Sequence, residues 1–467
     1  MLYLSTRGEA QKLGFSDALL AGLARDGGLY VPDAMPRLPS SAIGDLAGLA
    51  YAEAACRVIL PFVGDAMSEP ELAAMTRETY AGFRHAATAP LVQIGDNLFV
   101  LELFHGPTLA FKDFAMQWLG RAMNRALKAR GARATIVGAT SGDTGAAAIE
   151  AFAGQSQTDI FILYPHNRVS DVQRRQMTTV DQPNVHAIAV EGSFDDCQAI
   201  VKGLFNDLSF RDAHHLTGVN SINWARIVAQ IVYYFTSAAA LGAPHRSVSF
   251  TTPTGNFGDI LAGWCAKRMG LPVKRLVIAT NANDILARAL ASGEYRAREV
   301  IATQSPSMDI QVSSNFERLL FDAYGRDAAA LRGLMANFAQ SKSFAIAPGP
   351  LRAIRDDFDA FATDEETCAE EMARTYREAG YALDPHSAVG VNAARRALAR
   401  DPSTPMIALA TAHPAKFPEA VARATGARPA LPDHLKGLLE KKERFEILPN
   451  DLAAIRQFIG ARARAAA

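Results

Sequence analysis

The sequence predicts an α/β fold of parallel sheets with crossover helices, and two observations carry that prediction. From Asn97 onward, short apolar runs alternate with longer helical stretches. The runs 98–104, 134–137, 160–164, 185–190, 248–251, 276–280 and 406–410 are rich in Val, Ile and Phe and bounded by Gly, Pro, Asn or Ser. Strands buried on both faces have this composition. The intervening segment 114–129 repeats Trp118, Leu119, Met123 and Leu127 at helical spacing. The second observation is a set of glycine-bearing turns where a strand passes into a helix. In a parallel sheet this is the end at which ligands collect.

The remaining elements follow in order. Residues 1–95 carry helical patterns punctuated by turn signals at Asp26-Gly27-Gly28 and Pro32-Asp33. Arg7, Glu9 and Lys12 precede any apolar run, unlike a signal peptide. The longest uncharged stretch, 227–244, is interrupted by Gln230, Thr236, Ser237 and Gly242, and is expected to be a buried helix rather than a membrane span. The polar stretches 292–307 and 356–366 are expected as insertions or surface connections, and the basic, alanine-rich tail 459–467 as a solvated helix end.

At 467 residues, with 49% hydrophobic and 21% charged residues, the chain can bury the cores of two or three ordinary domains. Lys plus Arg and Asp plus Glu both total 48, so no broad field advertises nucleic acid or an anionic membrane. Cys56, Cys197, Cys265 and Cys368 stand singly, which argues against a disulfide framework or a structural zinc site and fits a reducing, cytoplasmic compartment. Each is expected to be a small buried hydrophobe. No metal is expected.

Three turns carry the chemistry. In 104–114 (Phe-His-Gly-Pro-Thr-Leu-Ala-Phe-Lys-Asp-Phe), Lys112 lies past a strand, at the mouth of a helix, between Phe111 and Phe114. Desolvation and the positive end of the helix dipole both favour its neutral amine, the form needed for Schiff-base chemistry. The alternative is a surface lysine paired with Asp113, its stem lying over the two rings. The second turn, 138–148, reads Gly-Ala-Thr-Ser-Gly-Asp-Thr-Gly-Ala-Ala-Ala and opens a helix. Amides and short hydroxyls there suit a carboxylate or phosphate; the alternative is a helix capped by Ser141 or Asp143. No Gly-Lys-Ser/Thr follows, so it is not a Walker loop, and it lacks dinucleotide spacing. The third, 252–259, places Gly255 and Gly258 around Asn256 and Phe257, a turn whose amides can wrap a phosphate, or simply a tight strand-to-helix turn.

With these turns the sequence resembles the threonine synthase family, of the longer microbial type, among the fold-type II pyridoxal-phosphate enzymes related to tryptophan synthase β. The resemblance also covers Ser5-Thr6-Arg7-Gly8, residues 22–32, Asn220-Ser221-Ile222-Asn223-Trp224-Ala225-Arg226, Ser307-Met308-Asp309-Ile310, Ser313-Ser314-Asn315-Phe316-Glu317-Arg318, Asp384-Pro385-His386-Ser387 and Thr411-Ala412-His413-Pro414-Ala415-Lys416-Phe417. It implies two parallel-sheet domains with helices on both faces: a mainly helical segment 1–95, a smaller domain 96–205 with Lys112 and the carboxylate loop, a larger domain 206–440 with the cofactor-phosphate loop, and a helical tail 441–467.

The resemblance further implies that Lys112 forms the Schiff base with pyridoxal 5'-phosphate, with Phe111 near the ring. Gly255, Asn256, Phe257 and Gly258 would hold the cofactor phosphate, and Asp143 would lie near its phenolic oxygen. Thr411 would set its hydroxyl against the pyridine nitrogen, leaving the ring a weaker electron sink than a carboxylate would. Thr140, Ser141, Gly142 and Thr144 would bind the substrate carboxylate. Ser221, Asn223, Arg226, Ser314 and Lys416 are candidates for the leaving phosphate. His105, His386 and His413 lie in matching motifs, where a structural donor and a catalyst are equally expected.

The implied reaction turns O-phospho-L-homoserine and water into L-threonine and phosphate. Protons leave Cα and Cβ before phosphate leaves Cγ, water then adds at Cβ, and Lys112 is the natural proton shuttle. The alternatives are a phospholyase or dehydratase on the same fold, and a non-catalytic module for a phosphorylated metabolite. The expected partner is a small molecule, neither nucleic acid nor membrane, bound by a monomer or homodimer.

Overall fold

Two open sheets, largely parallel, organise the chain; the computed structural model describes residues 1–465. In the larger sheet the strands run in the order Phe358–Ala362, Val273–Thr280, Val248–Pro253, Met406–Ala410, Leu98–Glu102 and Leu91–Gly95, with only the last pairing antiparallel. The smaller, all-parallel sheet runs Glu446–Pro449, Val185–Glu191, Thr158–Pro165, Ala134–Ala139, Leu216–Thr217.

The central strands of both sheets are buried on both faces, which explains the uninterrupted apolar runs. Successive side chains of a strand point to opposite faces. Thus Ile407 and Leu409 join one core while Met406, Ala408 and Ala410 join another. In the smaller sheet Ile160, Ile162 and Tyr164 join the first core, and Phe161 and Leu163 a third. The uncharged stretch forms the buried helix Trp224–Ala240, whose Tyr233, Tyr234 and Phe235 are fully enclosed. No helix among the described residues is long and apolar enough to cross a membrane. All four cysteines are buried and free.

Strand pairing redraws the expected division. Leu98–Glu102, assigned by sequence order to the smaller domain, pairs with Met406–Ala410 in the larger sheet. Leu216–Thr217 pairs in the smaller sheet although it lies beyond 205. The segment 356–366, expected as a surface connection, supplies the larger sheet's edge strand Phe358–Ala362. The segment 441–467, expected to be helical, contributes the strand Glu446–Pro449 before its helix Leu452–Gly460. Its end is pinned rather than free: Arg464 donates to both carboxylate oxygens of the buried Asp159, at 2.7 and 2.8 Å. Residues 466 and 467 of that predicted tail lie outside the described residues. Before residue 95 the helices Tyr51–Val63 and Glu69–Tyr80 are accompanied by a three-stranded antiparallel sheet, Leu13–Gly14, Leu2–Ser5 and Tyr30–Pro32. In the two large sheets these differences share one cause: a strand is defined by its partner, and these partners are distant in sequence.

Candidate active site

The segment leading to Lys112 is stitched to the end of the strand Met406–Ala410. Leu103 N–H donates to Ala410 O at 3.0 Å, Phe111 N–H to Thr411 O at 2.9 Å and His413 N–H to Leu109 O at 3.0 Å. The crossing holds Lys112, first residue of the helix Lys112–Ala129, inside the protein at 7% exposure. Its Nζ lies 4.6 Å from the Phe111 ring centre. Phe114 instead packs edge-on against Tyr51, Phe83 and Tyr233. Asp113 does not pair with Lys112: it accepts from Thr108 N–H at 2.8 Å and Thr108 Oγ1 at 2.6 Å. The surface-lysine alternative is therefore excluded.

Opposite Lys112 stands Asp143. Its Oδ2 lies 3.7 Å from Lys112 Nζ and 3.4 Å from Ser307 Oγ. Its Oδ1 accepts from Lys416 Nζ at 2.8 Å and Gln173 Nε2 at 2.9 Å. Burial alone would raise the Asp143 pKa, but Lys416, Lys112 and His386 outweigh it and hold the carboxylate far below its usual range. Burial depresses the Lys112 pKa, helped by Lys416 and Arg226 and opposed by Asp143 and Asp384. Burial thus inclines the Lys112 amine toward its neutral form against the pull of a carboxylate that stays charged.

The loop before Asp143 is shaped from within. Thr140 Oγ1 accepts the amides of Gly142 at 3.0 Å and Gly145 at 2.8 Å. The helix Asp143–Phe152 is capped by Gly142 with no side-chain cap, so neither Ser141 nor Asp143 plays the capping part. Gly142 sits at φ +139°, and a Cβ there would collide with the Gln173 amide. The hydroxyls of Ser141 and Thr144, both half-buried, have no protein partner among the described residues.

The third turn is shaped from outside. Ser313 Oγ donates to Gly255 O at 2.7 Å, and Asn315 donates to Asn256 O through both N–H and Nδ2, each at 3.1 Å. With the carbonyls turned outward, the amides of Gly255, Asn256 and Phe257, followed by the helix start at Gly258, have no protein acceptor among the described residues. Successive free amides at a helix N-terminus form a nest for an anion. Phe257 adopts the left-handed conformation at φ +64°, a strain of roughly 1 kcal/mol for a non-glycine residue, which places this turn among the constrained segments where ligands bind.

The remaining candidates differ in how far their polar atoms are already committed. Arg226 is 4% exposed; one nitrogen donates to Val219 O at 3.2 Å, while Nε has no partner, and burial lowers its pKa to about 10. Ser221, Ser314 and Thr411 have hydroxyls with no protein partner among the described residues. Asn223 is committed elsewhere: its oxygen caps the helix Trp224–Ala240 at Ala225 N–H and its amide ties to Leu19 O. Lys416 is fully buried, held by Asp143 and by Thr108 O at 2.7 Å. The structure thus removes Asn223 and Lys416 from the set facing a leaving phosphate, because their polar atoms have internal partners.

Sequence reasoning missed Asp259. Enclosed at 7% exposure, it accepts from Tyr233 at 2.6 Å and Tyr234 at 3.0 Å, while Oδ2 has no partner. Burial, partly offset by the two tyrosines and Lys112, raises its pKa to about 7. Its signal was its place directly after Gly258. His386 links Asp384, at 2.7 Å, to the Ser307 amide, at 3.3 Å, whereas His105 pairs with Glu102 and His413 caps a short turn at Ala415. Gln173 left no signal, and Ser307, although it opens a matching motif, was given no role, since nothing in sequence joins either to Asp143.

A buried amine inclined to be neutral, an amide nest and a free Thr411 hydroxyl fit an aldehyde cofactor bearing a phosphate. Comparison with known proteins agrees. The family description "Pyridoxal-phosphate dependent enzyme" matches residues 86–336, "Threonine synthase N terminus" residues 2–80, and "Threonine synthase, C-terminal" residues 387–459. The chain is 54% identical to a threonine synthase of Pseudomonas aeruginosa, over 98% of each. It is 36% identical to human threonine synthase-like 2, over 96% of this chain and 94% of that one. A crystal structure of a pyridoxal-phosphate-bound threonine synthase from Brucella melitensis superposes with a TM-score of 0.97 at 58% identity, covering 99% of this chain and 100% of that one. With its whole length so matched, the chain belongs to the threonine synthase family of pyridoxal-phosphate dependent enzymes.

Proposed function

We propose that the protein converts O-phospho-L-homoserine and water into L-threonine and phosphate. The single observation that carries this reading is Lys112, enclosed beside Phe111 and Asp143 in a chain that matches threonine synthases end to end. When bound, the cofactor supplies an electron-withdrawing ring that stabilises negative charge next to the substrate's amino group. The nest 255–258 would hold its phosphate, and Thr411 would meet its ring nitrogen.

The chain's own groups handle binding and protons. The Thr140–Gly145 loop, with its free hydroxyls at Ser141 and Thr144, is suited to the substrate carboxylate. Lys112, whose burial favours the neutral amine, would take protons from Cα and Cβ and return protons to Cγ and Cα, while water gives its oxygen to Cβ and its proton to the released phosphate. Arg226, with an unpaired Nε, and the hydroxyls of Ser221 and Ser314 are the groups left to steady the phosphate as it leaves Cγ. Burial keeps bulk water from these steps and strengthens each charge interaction. The four free buried cysteines fit action in the cytoplasm.

The test is product analysis of the wild-type enzyme and Lys112→Ala with phosphohomoserine. Threonine and phosphate in equal amounts from the wild type, and neither from the variant, is the expected result. A 2-oxo acid in place of threonine would instead make the protein a phospholyase.

A further inference from the structure

We propose that Lys416 is a positioning residue that acts on Lys112 through Asp143, occupying one carboxylate oxygen so that only the other faces the Schiff-base amine. This rests on the function proposed above. The carboxylate is divided between its two sides: Oδ1 takes Lys416 at 2.8 Å and Gln173 at 2.9 Å, while Oδ2 faces Lys112 at 3.7 Å and Ser307 at 3.4 Å. Lys416 is 0% exposed and its second contact, Thr108 O at 2.7 Å, belongs to the loop that Asp113 fastens to the Lys112 helix. The ammonium is therefore built into the frame that carries Lys112.

The arrangement has a chemical consequence. A buried carboxylate with Lys112 as its one cation would form a closed ion pair, and the amine would keep its proton. Two lysines around one carboxylate break that symmetry. The ionisable groups whose charges act on Lys112 include Asp143, Lys416, Arg226 and Asp384, and Lys112 in turn acts on Asp259; those acting on Asp143 include Lys416, Lys112 and His386. Lys416 makes the closer contact with Asp143, 2.8 Å against 3.7 Å for Lys112, so less of that carboxylate is left to oppose the burial that lowers the Lys112 pKa. No cofactor geometry is needed for this division, which exists among the chain's own atoms.

The test is a pH titration of the visible cofactor band in the holoenzyme, a property read without turnover. Lys416→Met is expected to strengthen proton binding at the Lys112-linked nitrogen by about tenfold or more, because Lys112 is then the one lysine on Asp143. Asp143→Asn is expected to weaken it. Adding Lys416→Met to Asp143→Asn should change nothing further, since the carboxylate through which Lys416 acts is already gone. A Lys416→Met midpoint equal to wild type would overturn the inference. If Lys416→Met alone does not fold, the two Asp143→Asn proteins decide: coincident midpoints support the proposal, and midpoints tenfold apart overturn it. A wild-type protein with no borohydride-sensitive band would instead overturn the function on which all of this rests.

Discussion

The amide nest at 255–258 and the lysine–aspartate cluster around Asp143 are two anion-handling regions built in opposite ways. The nest uses backbone. Its amides converge because Ser313 and Asn315 hold the neighbouring carbonyls outward, and no cation of its own is required. The cluster uses side chains from Lys112, Asp143, Gln173, Ser307 and Lys416, segments spread over three hundred residues of sequence. A nest binds a permanent charge and leaves it unchanged, which suits a cofactor phosphate. A buried cluster of titratable groups moves protons, because small changes in its charges alter which member is protonated.

The largest expected effect separates the two regions. Lys112→Ala should reduce threonine formation by about a thousandfold or more while the nest still holds the cofactor without a covalent bond. Turnover and binding, measured by phosphate release and dialysis, should therefore part company; equal losses in both would break the contrast. Gly255→Val should do the reverse. Its Cβ would lie 3.1 Å from Ser307 O, so the nest must shift, and cofactor affinity should fall by about a hundredfold with kcat of the loaded fraction little changed.

Asp259 sharpens the comparison, because it is a titratable group placed at the nest rather than in the cluster. Below about pH 4 its carboxyl is protonated in folded and unfolded chains alike. From there to about 7 only the folded chain keeps the proton, so this group makes stability fall as pH rises and then level off. Asp259→Asn keeps the acceptor for both tyrosines without that slope. It should gain on wild type between pH 5 and pH 8 by on the order of 2 kcal/mol, read from urea midpoints. A constant difference would show that the carboxyl is ionised throughout. The smallest effect belongs to Ser313→Ala, which removes one neutral hydrogen bond to Gly255 O. About 1 kcal/mol, or a fivefold rise in cofactor Kd, is expected.

How much of this was legible depended on how far apart the interacting residues lie. Glycine-bearing turns after apolar runs revealed the nest and the Thr140–Gly145 loop, because a local conformation needs local residues. Lys112 stood out between two phenylalanines, although only Phe111 faces its amine. Asn223 and Lys416 were placed with the phosphate groups since a motif shows a residue's presence and not its partners. Asp259 was in plain view and given no part, as only Tyr233 and Tyr234, on another helix, show how deeply it is held.

By itself the sequence determined the parallel α/β class, the turns that meet ligands and the family, for these follow from periodicity and contiguous motifs. The tertiary structure alone decided that Leu98–Glu102 belongs to the larger sheet, that Glu446–Pro449 completes the smaller one, and that Lys416 grips Asp143. Strand pairing and buried ion pairs join residues remote along the chain. Their energy depends on distance in space and on exclusion of water, quantities that exist only once the chain has folded.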